Sequence, residues 1–418
     1  MGVGRPLLAP AIEPAGESAR RADAERLASV ALISGGRAHF LAGNIGGARD
    51  RLRRGLAREG AREPLSRIRT LGALALLDAW VGETTRATEL TGQARAEAQV
   101  SGALTHPATA DAHLADALVA VSRGDPSVAE RELRAAALRA TVDDRSQTAW
   151  IAYAIGRELG SVMDEEPTAP LPSGSPPPIV VEALVASRAR RARRNGDPAA
   201  ALAVLADRSP AASAVLFERG LACLALGRSA DAREALRLHS GLPDSGEPLH
   251  RIRSLVLATS LSAMRGRTPR TDDLLVQALR IADEYGLVSV FLDAGPDTTS
   301  RILGLGLPSL PPVATQVIRC ASTAARAADG AGLAEPLTDR ERELLVLLPT
   351  GFTNTQLADR YFVSVNTIKS HMAHLYRKLE VSTRSGAIER ATLLGLIRPW
   401  SDGGTSAEGG FGPGRRTG

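Results

Sequence analysis

Six glycines, each followed at fixed distances by the same kinds of residue, restrict this chain more than any other feature. They are Gly43, Gly82, Gly124, Gly196, Gly227 and Gly266. Five places on stand Ala48, Ala87, Ala129, Ala201, Ala232 and Thr271; nine places on stand Leu52, Thr91, Leu133, Leu205, Leu236 and Leu275. A glycine can end one helix in a left-handed turn. A small residue then lets the next helix approach its neighbour, and a leucine fills the remaining gap. Asn44, Asp125 and Asp197 directly follow their glycines and suit the N-cap of the second helix. Aromatic residues make up only 3% of the 418 residues, and Ala, Leu and Arg dominate. Helix formers therefore abound while strand formers are scarce. The fold class this implies is all-α.

The glycines are spaced by 39, 42, 72, 31 and 39 residues. Such a period matches stacked antiparallel helix pairs, as in tetratricopeptide-like arrays, with degenerate repeats. The competing arrangement is an irregular helical bundle. The double interval contains a Pro-rich stretch, residues 164–178, expected to be flexible or extended and to split the array into stacks at 18–163 and 179–325. Residues 1–17 read as a flexible arm, 326–336 as a second linker, and the Gly-rich 399–418 as a disordered tail.

Lysine occurs only at 369 and 378. A phosphate-binding loop needs Gly-Lys-Ser/Thr; Lys369 follows Ile368 and Lys378 follows Arg377, so the chain has none. A Schiff-base lysine before residue 369 is excluded equally. The net charge of +5 reflects a general arginine bias and says little by itself about nucleic acid. Arg188–Arg194 is an arginine run, read as a solvated helix end, with contact to an acidic partner as the alternative. Cys223 and Cys320 are too few for a metal cluster and are expected to be reduced thiols. His39, His106, His113, His239 and His250 lack partners at metal-ligand spacing and read as solitary surface residues. No catalytic residue, metal or cofactor is expected, and the chain is not read as an enzyme. With no signal peptide and no membrane-length apolar run, a cytoplasmic protein without membrane contact is expected.

Residues 337–398 differ in kind. Thr338-Asp-Arg-Glu341 is a capping box, and Thr353-Asn-Thr-Gln356 is a second. Ser364 suits the cap of a third helix and Thr383 that of a fourth, while Gly351 sits where the first must stop. Helix, helix, tight turn, longer helix is the helix-turn-helix plan. At about 100° per residue, Val365, Ile368, Met372, Leu375 and Leu379 fall within one arc of about 80°. Asn366, Thr367, Ser370, Ala373, His374 and Arg377 lie opposite, with Lys369 and His371 on the flanks. From Ser364 to Leu379 this helix has no carboxylate, so its positive dipole end suits a polyanion. The competing reading is an amphipathic helix with a solvated basic face.

The block closely resembles the LuxR-type DNA-binding domain. The likeness rests on Leu337-Thr338, Arg340-Glu341, Leu344-Leu345, Gly351, Asn354, Leu357-Ala358, the run 363–371, the run 375–379, Val381, Arg384, Ala387 and Gly395-Leu396-Ile397. It implies base contacts from Lys369, Ser370 and Ala373. Asn354, Thr367, His371 and Arg377 would hold phosphates or orient the groups that do, with Asn366, His374 and Lys378 on the same DNA-binding surface. It also implies a homodimer paired through a helix at 383–395. Three departures stand out: Pro349 where a small residue is usual, Thr355 at a position often basic, and Gly386 in place of a capping Glu or Gln. Gly386 should weaken the last helix by roughly 0.5–1 kcal/mol. Residues 277–296 resemble the end of the repeat region in large ATP-binding, MalT-like regulators, although this chain carries no lysine for their ATPase.

The function expected is sequence-specific binding of double-stranded DNA by a transcriptional regulator whose repeats meet an unknown protein or small-molecule effector. A protein-interaction scaffold with a relict reader is the alternative. A sigma-factor-like subunit would show arginine where His371 stands and would lack Tyr376-Arg-Lys-Leu-Glu-Val381.

Overall fold

The computed structural model describes residues 15–58, 63–140, 146–163, 171–206, 212–243, 246–266, 268–305, 311–329, 335, 337–348, 352–361, 363–393 and 396. Among these residues there is no strand. The first half holds α1 (Ala15–Leu41), α2 (Ile45–Leu56), α3 (Pro64–Trp80), α4 (Thr84–Val100), α5 (Ala110–Arg123), α6 (Pro126–Ala140) and α7 (Ser146–Met163). The second holds α8 (Pro178–Arg194), α9 (Pro198–Leu205), α10 (Ser213–Ala225), α11 (Ser229–Ser240), α12 (Pro248–Ala263) and α13 (Pro269–Tyr285). It continues with α14 (Ser289–Ala294), α15 (Pro296–Gly304) and α16 (Pro312–Asp329). A last group comprises α17 (Asp339–Leu347), α18 (Asn354–Tyr361), α19 (Val365–Lys378) and α20 (Arg384–Leu393). None of the described helices is long and apolar enough to cross a membrane.

The six marker glycines each lie between two helices that pack on one another: α1 with α2, α3 with α4, α5 with α6, α8 with α9, α10 with α11, and α12 with α13. All six have positive φ, from 72° at Gly124 to 95° at Gly266. That is backbone an L side chain rarely adopts. Ala48, Ala87, Ala129, Ala201, Ala232 and Thr271 are all buried. Leu52, Thr91, Leu205 and Leu275 are buried beside them, and Leu133 and Leu236 are half-buried against the same cores. The polar caps are in place too: Asn44 accepts from Gly47 N at 2.9 Å, Asp125 from Val128 N at 3.2 Å, and Asp197 from Ala200 N at 2.8 Å.

The two halves touch. Val288 N donates to Ser122 O at 2.8 Å, Leu249 N to Val81 O at 3.1 Å, and Arg49 Nη1 to Glu247 Oε1 at 2.6 Å. Part of the Pro-rich stretch is fastened as well, since Trp150 Nε1 donates to Ser173 O at 3.2 Å. Residues 164–170 of that stretch, with 1–14, 330–334, Pro349, Gly351, Gly395, Ile397 and the 399–418 tail, lie outside the described residues.

Two expectations are corrected. The arginine run is not a solvated end: only Arg188 of Arg188, Arg190 and Arg193 is exposed. Arg190 is buried and ion-pairs with Glu158, with Glu218 at 2.8 Å and with Asp293 at 3.2 Å; Arg193 pairs with Glu218 at 3.0 Å. The α8 period turns these guanidiniums toward carboxylates brought from α7, α10 and α14, a meeting that no local pattern announces. His239 and His250 are buried rather than superficial, and their rings stack with centroids 3.9 Å apart. Burial, then the neighbouring His250 and Arg253, brings His239 down to about 3. Burial, then Arg253, brings His250 to about 4, so both rings are neutral near pH 7.

Candidate DNA-reading surface

Local capping sets the four terminal helices. Thr338 and Glu341 complete their box reciprocally, with Thr338 N donating to Glu341 Oε2 at 2.8 Å. Thr353 and Gln356 do the same for α18: Thr353 N donates to Gln356 Oε1 at 2.8 Å and Gln356 N to Thr353 Oγ1 at 3.3 Å. Ser364 Oγ accepts from Thr367 N at 3.1 Å, and Thr383 Oγ1 from Gly386 N at 3.0 Å. Each such cap contributes about 1 kcal/mol to its helix start.

Packing then orients α19. Ile368, Met372, Leu375 and Leu379 are buried against Leu344, Leu345, Leu348, Leu357 and Ala387, with Val365 half-buried at the edge. This sidedness fixes the opposite face. Asn366, Lys369, Ser370, Ala373, His374 and Arg377 are exposed; Thr367 and His371 are half-buried on the flanks, and Asn354 is half-buried at the start of α18. The exposed row carries no acid, and the uncompensated amide end of the helix leads it. A polyanion can lie along this row.

Lys378 does not belong to that row, contrary to the expectation from sequence. Its side chain is 6% exposed and reaches Glu341 Oε2 at 2.7 Å and Glu335 Oε1 at 3.3 Å. One step beyond Arg377 turns it about 100° toward α17, where the capping-box carboxylate holds it. Arg377 keeps an exposed guanidinium but meets Glu335 at 2.9 Å. Hydrogen bonds from Arg377 and Lys378 hold the Glu335 carboxyl below the usual carboxylate range.

Arg384 and Arg340, quoted above only for the family likeness, have fastening roles that the sequence did not assign. Arg384 donates to Leu348 O at 2.8 Å, at the end of α17, and to Phe352 O at 2.7 Å, just ahead of α18. The Arg340 guanidinium stacks 3.7 Å from the Tyr361 ring centroid and ties α17 to α18. A basic residue beside a helix end is a weak signal alone. The carbonyls it serves are more than thirty residues away.

Sidedness, caps and turn define a helix-turn-helix unit, and the comparisons agree. Residues 335–391 match the family described as bacterial regulatory proteins, luxR family; this segment is a LuxR-type helix-turn-helix domain. The chain is 46% identical over 67 residues to the DNA-binding transcriptional activator DevR/DosR of Mycobacterium tuberculosis, covering 16% of this chain and 31% of that protein. It is 54% identical over 54 residues to the probable transcriptional regulatory protein SgaR of Hyphomicrobium methylovorum, covering 13% of this chain and 26% of that one. The chain thus spans under a third of the length of these curated relatives.

Proposed function

We propose that this chain is a transcriptional regulator that reads double-stranded DNA with α19, and that its paired helices form a tetratricopeptide-like region receiving a signal. One observation carries the reading: the outward row of α19, Asn366, Lys369, Ser370, Ala373, His374 and Arg377, contains no acidic residue and stands exposed on a capped, packed support, with Glu335 meeting it only at Arg377. Lys369, Ser370 and Ala373 are the residues proposed to meet base edges. Asn354, Asn366, Thr367, His371, His374 and Arg377 are proposed to meet phosphates or to orient those that do.

Similarity to a DNA-binding activator and to a probable regulatory protein supports the DNA-binding reading. Two copies joined through α20 would place α19 in successive major grooves, with half-sites about one helical turn apart. The test is selection of bound duplexes from a random pool by the full chain, followed by gel retardation. Enrichment of a two-part site with that spacing is expected. A chain that retards no duplex would favour the scaffold with a relict reader.

A further inference from the structure

Where the two helical halves meet they line a cavity of about 210 Å³. Its wall draws on α2, α3, α5 and α7 from one half and on α8, α10, α12 and α14 from the other. Trp80, Ile155, Ile179 and Val290 supply an apolar lining, into which Glu158, Glu182, Glu247, His250, Arg253 and Asp293 bring polar groups.

Three of the lining carboxylates are already engaged, Glu247 by Arg49, and Glu158 and Asp293 by the arginines of α8. Arg190, Arg193 and Arg194 are served by Glu158, Glu218 and Asp293. Arg253 stands in the same field but makes no ion pair among the described residues. Its contacts are Ser213 Oγ at 3.3 Å and the Phe217 ring, 6.0 Å from its centroid. Glu182, on α8, makes no hydrogen bond or ion pair among the described residues, and burial alone raises its pKa. The two histidines are unequal. His239 is bonded at both ring nitrogens, to Ser213 Oγ at 2.9 Å and Ser254 Oγ at 2.8 Å. His250, 4% exposed and lining the cavity, meets no side-chain partner at either ring nitrogen. Buried polar groups without partners are costly. Here a cation, an anion and a neutral donor-acceptor ring line one cavity.

We propose that this cavity binds a small zwitterion with an apolar side chain, of amino-acid size, placing its carboxylate on Arg253 and its ammonium on Glu182. His250 offers one further hydrogen bond, and the side chain lies on the Trp80 and Ile155 side. A zwitterion answers both unpaired charges without adding net charge to the site, and both bonds are charge-assisted. Size agrees: a cavity of about 150 Å³ holds benzene, so this one holds a few atoms more. That the ligand acts as the effector rests on the regulator reading; that it binds does not.

The experiment is titration calorimetry on the full chain without DNA at pH 7.5. Alanine, valine, leucine, methionine and phenylalanine are tried first. Each that binds is compared with its amide, which lacks the carboxylate, and its N-acetyl derivative, which lacks the ammonium. At least one amino acid is expected to bind, with both blocked forms weaker by about tenfold or more, one charged contact being lost in each. Glu182→Gln should abolish the preference over the N-acetyl form, and Arg253→Met the preference over the amide. If Arg253→Met does not fold, the amide comparison on the unaltered chain decides that half. No binding by any of the five overturns the proposal, as do blocked forms that bind equally or Glu182→Gln that changes nothing. Gel retardation measured separately keeps failure here distinct from failure of the DNA reading.

Discussion

Lys378 Nζ lies 2.7 Å from Glu341 Oε2, joining the last turn of the proposed reading helix to the capping box that starts α17. Glu341 thereby serves two elements at once. Burial works against its charge, but the bonds from Lys378 and Thr338 outweigh it and hold its pKa below the ordinary value. Lys378→Met leaves this carboxylate partly uncompensated. A loss of about 1–3 kcal/mol from the terminal domain is expected, read as a lower unfolding midpoint in denaturant. The Glu341 contribution is present above the unfolded carboxyl pKa of 4.5 and is lost as pH falls through the lower folded value. The variant should therefore show a shallower acid transition.

Lys369 and Arg377 stand on one face but should behave differently. Lys369→Ala is expected to cost about 1–3 kcal/mol on the preferred duplex and to relax preference at one position. Arg377→Ala should weaken all duplexes alike and flatten the dependence on salt. Uniform weakening by both would remove Lys369 from the base-reading set. Glu335→Gln should act in the opposite sense, because it releases Arg377 from its exposed ion pair. Roughly 1.5- to 5-fold tighter binding to random duplex is expected, in line with the strength of a surface pair.

The arginine run offers a contrast within a few residues. Arg190→Met strips Glu158, Glu218 and Asp293 of their shared partner and should cost about 3–5 kcal/mol. Arg188→Ala, on exposed backbone of the same helix, should stay within about 0.5 kcal/mol. Equal effects in urea denaturation would contradict the buried network.

The stacked histidines make stability depend on mild acid. His239 has a folded pKa of about 3 against an ordinary value of 6.5, so the unfolded chain takes up the proton first. Its contribution is complete above 6.5 and is lost as pH falls toward the folded value. At pH 5 the loss is about 2 kcal/mol for this residue. Denaturation at pH 5 should show lower stability than at pH 7.5, and His239→Gln should narrow the difference.

Much of this arrangement was legible beforehand because its causes are local. A positive-φ turn requires Gly43 or Gly82 where it occurs, and a cap requires Ser364 three residues before Thr367 N. The inward stripe of α19 follows from 3.6-residue periodicity, and its outward row is then whatever remains. Close crossings were less legible. A Cβ on Gly36 would lie 2.7 Å from Leu52 Cγ, and one on Gly220 2.5 Å from Leu257 Cδ2, yet neither glycine is marked by its neighbours in sequence.

Sequence by itself determined the helical class, the paired-helix punctuation and the identity of the terminal domain, since turns, caps and amphipathic periods depend on residues within one or two helical turns. Tertiary structure alone decided that Lys378 faces Glu341, that Arg190 is buried among three carboxylates, and that Glu182, His250 and Arg253 line one cavity. Each of those outcomes needs partners from distant helices. Charge and burial are properties of the assembled field, and periodicity along a single helix carries no information about what the next helix brings to meet it.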